Sequence, residues 1–93
     1  MSTQTDLSKG LVLLDFWASW CGPCKILKPL VEKLDEERDD IRVHKINIEN
    51  DVDDLCRKFK VKSVPCFILL EDWKEQNRIS GTVSMTQVRE MLP

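Results

Sequence analysis

The sequence lacks most features that would tie it to a membrane, to nucleic acid or to a secretory route. No apolar run approaches the roughly eighteen residues that a spanning helix needs. The 14 basic and 16 acidic residues are interspersed and the net charge is −2, so there is no basic patch to hold nucleic acid. The first ten residues are polar, with no basic start leading into an apolar stretch, so a secretory leader is not expected. The last three, Met91-Leu92-Pro93, carry no retention or lipidation signal. The one histidine, His44, has no cysteine or carboxylate motif around it, and strand surface is its expected role. No internal repeat, linker or change of composition divides the chain. Residues 1–93 are therefore expected to form one domain, with 1–10 as an N-terminal stub, a short helix around Thr5 to Lys9 or a loose tail.

Four cysteines are present, and only Cys21 and Cys24 form a close pair. A zinc site usually draws on two close pairs, whereas Cys56 and Cys66 stand ten residues apart, so no metal is expected. A small secreted scaffold would place more cysteines in turns. Here they fall in helical and strand patterns, which suits a reducing compartment, and a cytoplasmic location is expected.

The run Leu11-Val12-Leu13-Leu14-Asp15-Phe16-Trp17 has the length and content of a strand buried on both faces, with Asp15 as its anomaly. Residues 24–37 read as a helix whose apolar stripe is Ile26, Leu27, Leu30, Val31 and Leu34, interrupted by Pro29. Residues 41–48 alternate as a second strand. Asn50 is the expected cap of a short helix with Val52, Leu55, Cys56 and Phe59 on one side. Residues 66–70 form a third, buried strand, 71–74 a turn, and 75–80 a weak polar strand with Ile79. Residues 82–92 form a last amphipathic helix with Val83, Val88, Met91 and Leu92 inward. This order predicts an α/β fold, with a mixed sheet of about four strands and helices on both faces. The first two strands should be parallel, the last two antiparallel.

Cys-Gly-Pro-Cys at a strand-to-helix boundary is suited to redox chemistry. Backbone N–H groups and the dipole at a helix start favour an anion, hence a thiolate at Cys21. Cys24 lies one turn in, close enough to close a small ring. Gly22 permits close approach of a partner backbone, Pro23 suits a helix entry, and Trp20 supplies a rigid apolar wall.

The run Leu14-Asp15-Phe16-Trp17-Ala18-Ser19-Trp20-Cys21-Gly22-Pro23-Cys24-Lys25 resembles the active-site segment of the thioredoxin family. Pro29, the strand segment Lys45 to Glu49, Val64-Pro65 and Gly81 resemble further family positions, so the likeness covers Leu11 to the C-terminus. It implies a protein-disulfide reductase without a cofactor beyond a redox-active Cys21–Cys24 disulfide. Cys21 would be the nucleophile, Cys24 the resolving thiol, Asp15 a buried proton acceptor and Lys45 a residue that tunes it. Trp20, Gly22, Pro23, Val64, Pro65 and Gly81 would form the substrate groove, with a cis bond before Pro65. Partners would be disulfide-containing proteins and a flavoprotein reductase, with no nucleic acid and no membrane.

Some positions depart from that pattern. Only ten residues precede Leu11, where the family has a first strand and most of a first helix. The strand 41–48 would then lie at a sheet edge, covered by residues 1–10 or paired weakly with a second copy of an otherwise monomeric chain. Cys66 follows Pro65 where a threonine is common, which makes it a candidate extra thiol, with core packing as the plainer role. Cys56 is expected in the core. Ser63, Trp73 and Ser80 also replace common residues. An alternative reading is a thioredoxin-like binding or regulatory subunit that uses the groove or the open edge.

Overall fold

A computed structural model describes residues 7–93. Its four-stranded sheet has the order β2-β1-β3-β4, built from β1 (Leu11–Trp17), β2 (Ile41–Asn47), β3 (Cys66–Glu71) and β4 (Lys74–Ser80). β1 runs parallel to β2 and antiparallel to β3, and β3 is antiparallel to β4. β1 and β3 are the inner strands, which is why both read as near-continuous apolar runs: each is covered on both faces and on both edges.

Alternation along the strands separates two cores. Val12, Leu14 and Phe16 of β1 pack with Cys66, Ile68 and Leu70 of β3, and α2 (Leu55–Lys58) closes this face. Leu13 and Phe67 face the other way, against Leu27, Val31 and Leu34 of α1 (Gly22–Glu37) and Val88 of α3 (Met85–Glu90). Cys24, Leu27, Val31 and Leu34 are the buried positions of α1, a stripe three to four residues apart. Ile26 and Leu30, expected on that stripe, are instead exposed, Ile26 by 72%. They lie about a quarter turn away from it.

The region after β2 also differs from expectation. Asn47, not Asn50, is the first cap: its side chain accepts the Glu49 N–H at 2.9 Å and starts a 3₁₀ turn over Ile48–Asn50. The Asp51 carboxylate then accepts the N–H groups of Leu55 and Cys56 at 2.9 and 2.7 Å, which starts α2. Val52 falls in the loop between them and is exposed rather than inward. α3 begins at Met85, not at residue 82, because Ser84 and Gln87 form a reciprocal capping box.

β4 is polar and exposed, and Arg78 fastens it. Its guanidinium donates to Glu75 and to the Phe59 carbonyl oxygen at the end of α2, each at 2.7 Å. The hairpin between β3 and β4 turns on Asp72 and Trp73, both at positive φ (50° and 73°). Asp72 and Gly10 exchange hydrogen bonds of 2.8 and 3.0 Å, tying this turn to the entry of β1.

β2 is an edge strand among the described residues. Leu7 packs on the α2-side core, and the Arg42 guanidinium donates to the Lys9 carbonyl oxygen. The expected helix or tail near the N-terminus, and its cover of the β2 edge, fall in part on residues 1–6, outside the described residues.

Candidate active site

The chain leaves β1 at Trp17, turns, and enters α1 at Gly22. The Cys21 N–H donates to the Ala18 carbonyl oxygen at 3.1 Å, which closes the turn. The Ser19 N–H donates to Oε1 of Glu49 at 2.7 Å, so the 3₁₀ turn after β2 holds the loop from outside. That bond holds the Glu49 carboxyl below its ordinary range.

Cys21 is the N-cap of α1, and its Sγ accepts the Cys24 N–H at 3.2 Å. A sulfur held there faces the partial positive end of the helix. Gly22 and Pro23 occupy the first positions, where a proline forfeits no needed donor. Cys21 and Cys24 are joined as a disulfide, with Cα atoms 5.3 Å apart. Ala18, Trp17, Ile48 and Val64 pack around the pair. Cys21 is consequently only 4% exposed in this state, less open than its place at the helix start implies. Trp20 stands out beside it, 68% exposed. Space above Gly22 is open: an added Cβ would meet nothing within 4 Å.

Phe16 at the end of β1 and Cys66 at the start of β3 are register partners. This pairing brings the segment before β3 to the disulfide. The Val64–Pro65 bond is cis, as the resemblance implied, and the Gly81 N–H donates to the Pro65 carbonyl oxygen at 3.2 Å. Gly81 has φ +87°, a conformation that a side chain disfavours.

Behind the disulfide is a cleft of about 520 Å³. One wall is a helical row spaced by four: Cys24, Lys28 and Glu32. The floor is Asp15 and Trp17 of β1, and the opposite wall Lys45 and Asn47 of β2 with Asn50. Asp15 is 7% exposed, and burial pushes its carboxyl up to about 6, against a smaller opposing effect of the Lys45 ammonium. Lys45 is the register partner of Asp15, and its Nζ lies 3.2 Å from Glu32 Oε1.

A family model described as Thioredoxin matches residues 2–93. This chain belongs to the thioredoxin family. It is 43% identical over 75 residues to the thioredoxin of Chlamydia caviae, a match covering 81% of this chain and 72% of that one. It is 40% identical over 72 residues to the thioredoxin of Bacillus subtilis, covering 76% and 68%. Among solved structures, the thioredoxin of Fasciola hepatica superposes with a TM-score of 0.81 at 36% identity, over 89% of this chain and 79% of that one. The chain is a thiol–disulfide oxidoreductase, a protein-disulfide reductase of the thioredoxin type, with its Cys-x-x-Cys pair at disulfide distance. Thioredoxins reduce disulfide-containing substrates and are reduced by thioredoxin reductase.

Of the residues singled out from the sequence, Cys21, Cys24, Trp20, Gly22 and Pro23 share one loop and helix start. Val64, Pro65 and Gly81 converge on that end of the sheet, and Asp15 and Lys45 line the cleft behind it. Cys66 points to the α2-side core, the sheet face opposite α1, and burial pushes its thiol up. Cys56 joins the same core, where burial and then a hydrogen bond to Asp51 push its thiol up to about 11. Sequence reasoning passed over Glu32 and Glu49. Glu32 reads as one of several charges on the outer face of α1, and its partner depends on how α1 crosses β2. The only sequence signal for Glu49 is its place as the last residue of the family-like segment Lys45 to Glu49, which assigns it no role.

Proposed function

We propose that the reductase cycle runs through unlike roles of the two sulfurs. Cys21, as thiolate, attacks one sulfur of a target disulfide; that bond breaks and its other sulfur leaves as a thiolate. Cys24 then attacks the Cys21 sulfur, and the mixed disulfide breaks. The two electrons of the pair have passed to the target, and Cys21–Cys24 remains as a disulfide. The Cys24 proton goes to Asp15. A carboxyl near 6 is mostly ionised at neutral pH yet basic enough to take a proton, which is the balance a general base needs. Lys45 tunes that balance from the neighbouring strand.

Targets are read along a shallow surface made by Trp20, Gly22, Pro23, Val64, Pro65 and Gly81. The open space at Gly22 and the exposed Trp20 support recognition of an extended backbone rather than of a deep-bound small molecule. The chain acts as one domain over 1–93, as a cytoplasmic electron carrier fed by a thioredoxin reductase.

The single observation behind this reading is that Cys24 and the buried Asp15 line one cleft behind a disulfide at the start of α1. Insulin reduction tests it. Cys21→Ser is expected to abolish turnover, and Cys24→Ser to trap targets as mixed disulfides on Cys21 that mass spectrometry can name. Undiminished insulin reduction by Cys21→Ser would overturn it.

A further inference from the structure

We infer that Glu32 is a positioning residue for the Asp15 carboxylate: it holds the Lys45 ammonium at the outer part of the cleft and so sets how strongly that cation acts on Asp15. The consequence for turnover rests on the role proposed above for Asp15; the inference itself concerns only the three side chains.

Asp15 and Lys45 sit opposite each other on parallel neighbours, and their side chains project to the same face. Strand spacing puts their backbones about 5 Å apart. Glu32 comes from the third side, two turns of α1 beyond Cys24. The result is one ammonium and two carboxylates. One carboxylate is almost closed off from water; the Glu32 side chain is 48% exposed, and the Lys45 Nζ is 3.2 Å from its Oε1. The ammonium is thereby drawn toward the wetter of its two partners.

Such an exposed pair contributes little to folding stability. The buried carboxylate responds differently, because a charge acts more strongly through a poorly polarisable interior than through water. Moving Lys45 by a few ångströms therefore changes Asp15 far more than it changes the stability of the fold. The charged groups facing Asp15 are Lys28 and Glu32 from α1 and Lys45 from β2; the Cys66 thiol of β3 lies on the opposite face of the sheet. Asn47 and Asn50 complete the cleft without charge.

Removing the Glu32 carboxylate has two effects of the same sign. It frees Lys45 to approach Asp15, and it removes a like charge. Both favour ionised Asp15, so the titration midpoint must fall. Removing Lys45 must raise it.

The test is the titration of the Asp15 side-chain carboxyl carbon, followed by NMR in the oxidised protein. The samples are the wild type, Glu32→Gln, Lys45→Gln and the double variant. Glu32→Gln is expected to lower the Asp15 midpoint by about half a pH unit, the scale of one exposed ion pair. In the Lys45→Gln background the same substitution is expected to lose most of its effect. An unchanged midpoint in Glu32→Gln overturns the inference. So does an equal fall in both backgrounds, because Glu32 would then act as a bare charge and not through Lys45. No turnover is measured, so failure here leaves the proposed role of Asp15 intact. Conversely, an Asp15 variant with full insulin-reducing activity would remove that role without touching this result.

Discussion

The amide of Gly81 donates to the carbonyl oxygen of Pro65 at 3.2 Å, joining the residue that follows β4 to the cis-proline that precedes β3. A side chain at Gly81 would have room, but the backbone there has φ +87°. Gly81→Ala is therefore expected to cost about 1–2 kcal/mol through backbone strain alone. Urea denaturation measures this, and an unchanged midpoint would refute the strain argument. Insulin reduction should slow as well, because strain at residue 81 displaces the backbone N–H that fixes the Pro65 carbonyl.

Asp15 carries a cost that depends on pH. Its carboxyl is raised from 3.8 to about 6, so the folded state binds the Asp15 proton more tightly than the unfolded chain does. The stabilisation from protonated Asp15 is complete below pH 3.8 and is lost as pH rises through about 6. Above that, the buried carboxylate costs the fold about 3 kcal/mol relative to acid pH. Asp15→Asn is expected to be more stable than the wild type at pH 8, with the difference closing between pH 6 and 3.8. Denaturant titrations across that range check it; a difference that does not vary with pH would argue against the shift.

Cys66 is predicted to be a silent thiol. It is buried on the sheet face away from α1, and burial disfavours its thiolate. In the reduced native protein, iodoacetamide at pH 7.5 should alkylate Cys21 and leave Cys66 intact until denaturant is added. Cys66→Val should reduce insulin like the wild type. Labelling of Cys66 at a rate matching Cys21 would restore it as a third redox thiol.

Trp73 sets two opposed effects against each other. It sits at φ +73°, where glycine is favoured, and its ring meets Phe59 edge-on at 5.6 Å between centroids. Trp73→Ala keeps the strain and loses the contact, and should destabilise by about 1 kcal/mol. Trp73→Gly loses the same contact but relieves strain of about 1 kcal/mol, and should stay near wild type. Equal melting temperatures for the two variants would show that the turn carries no strain.

Glu49 holds the loop before the disulfide by accepting the Ser19 N–H at 2.7 Å. Glu49→Ala should speed amide hydrogen exchange at Ser19 and lower the rate of insulin reduction with little change in melting temperature. Unaltered exchange at Ser19 would mean that the loop is held from within.

What could be read from the sequence follows from how local each signal is. β1 and β3 were legible because inner strands need continuous apolar runs, and Cys21 to Cys24 because turn, cap and nucleophile occupy four consecutive residues. The α2 region was misjudged for the same reason: Asn50-Asp51 looks like a helix start, but Asp51 reaches four residues forward to cap Leu55. The rotation of α1 was blurred by Ile26 and Leu30, which add apolar residues on a side that the sheet does not cover. The Glu32–Lys45 contact was invisible, because it depends on the crossing of a helix over a strand thirteen residues away.

The strand order β2-β1-β3-β4 has a consequence for how the molecule comes apart. The disulfide hangs from the end of β1 and the cis-proline from the start of β3, both inner strands. Inner strands belong to the last unit to open in local unfolding, and edge strands to the first. Among the described residues β2 and β4 are the outer strands, and either can fray while the two halves of the redox site stay in register through Phe16 and Cys66. Electron exchange is thus built on the slowest-opening part of the molecule, and the edges can breathe without interrupting it.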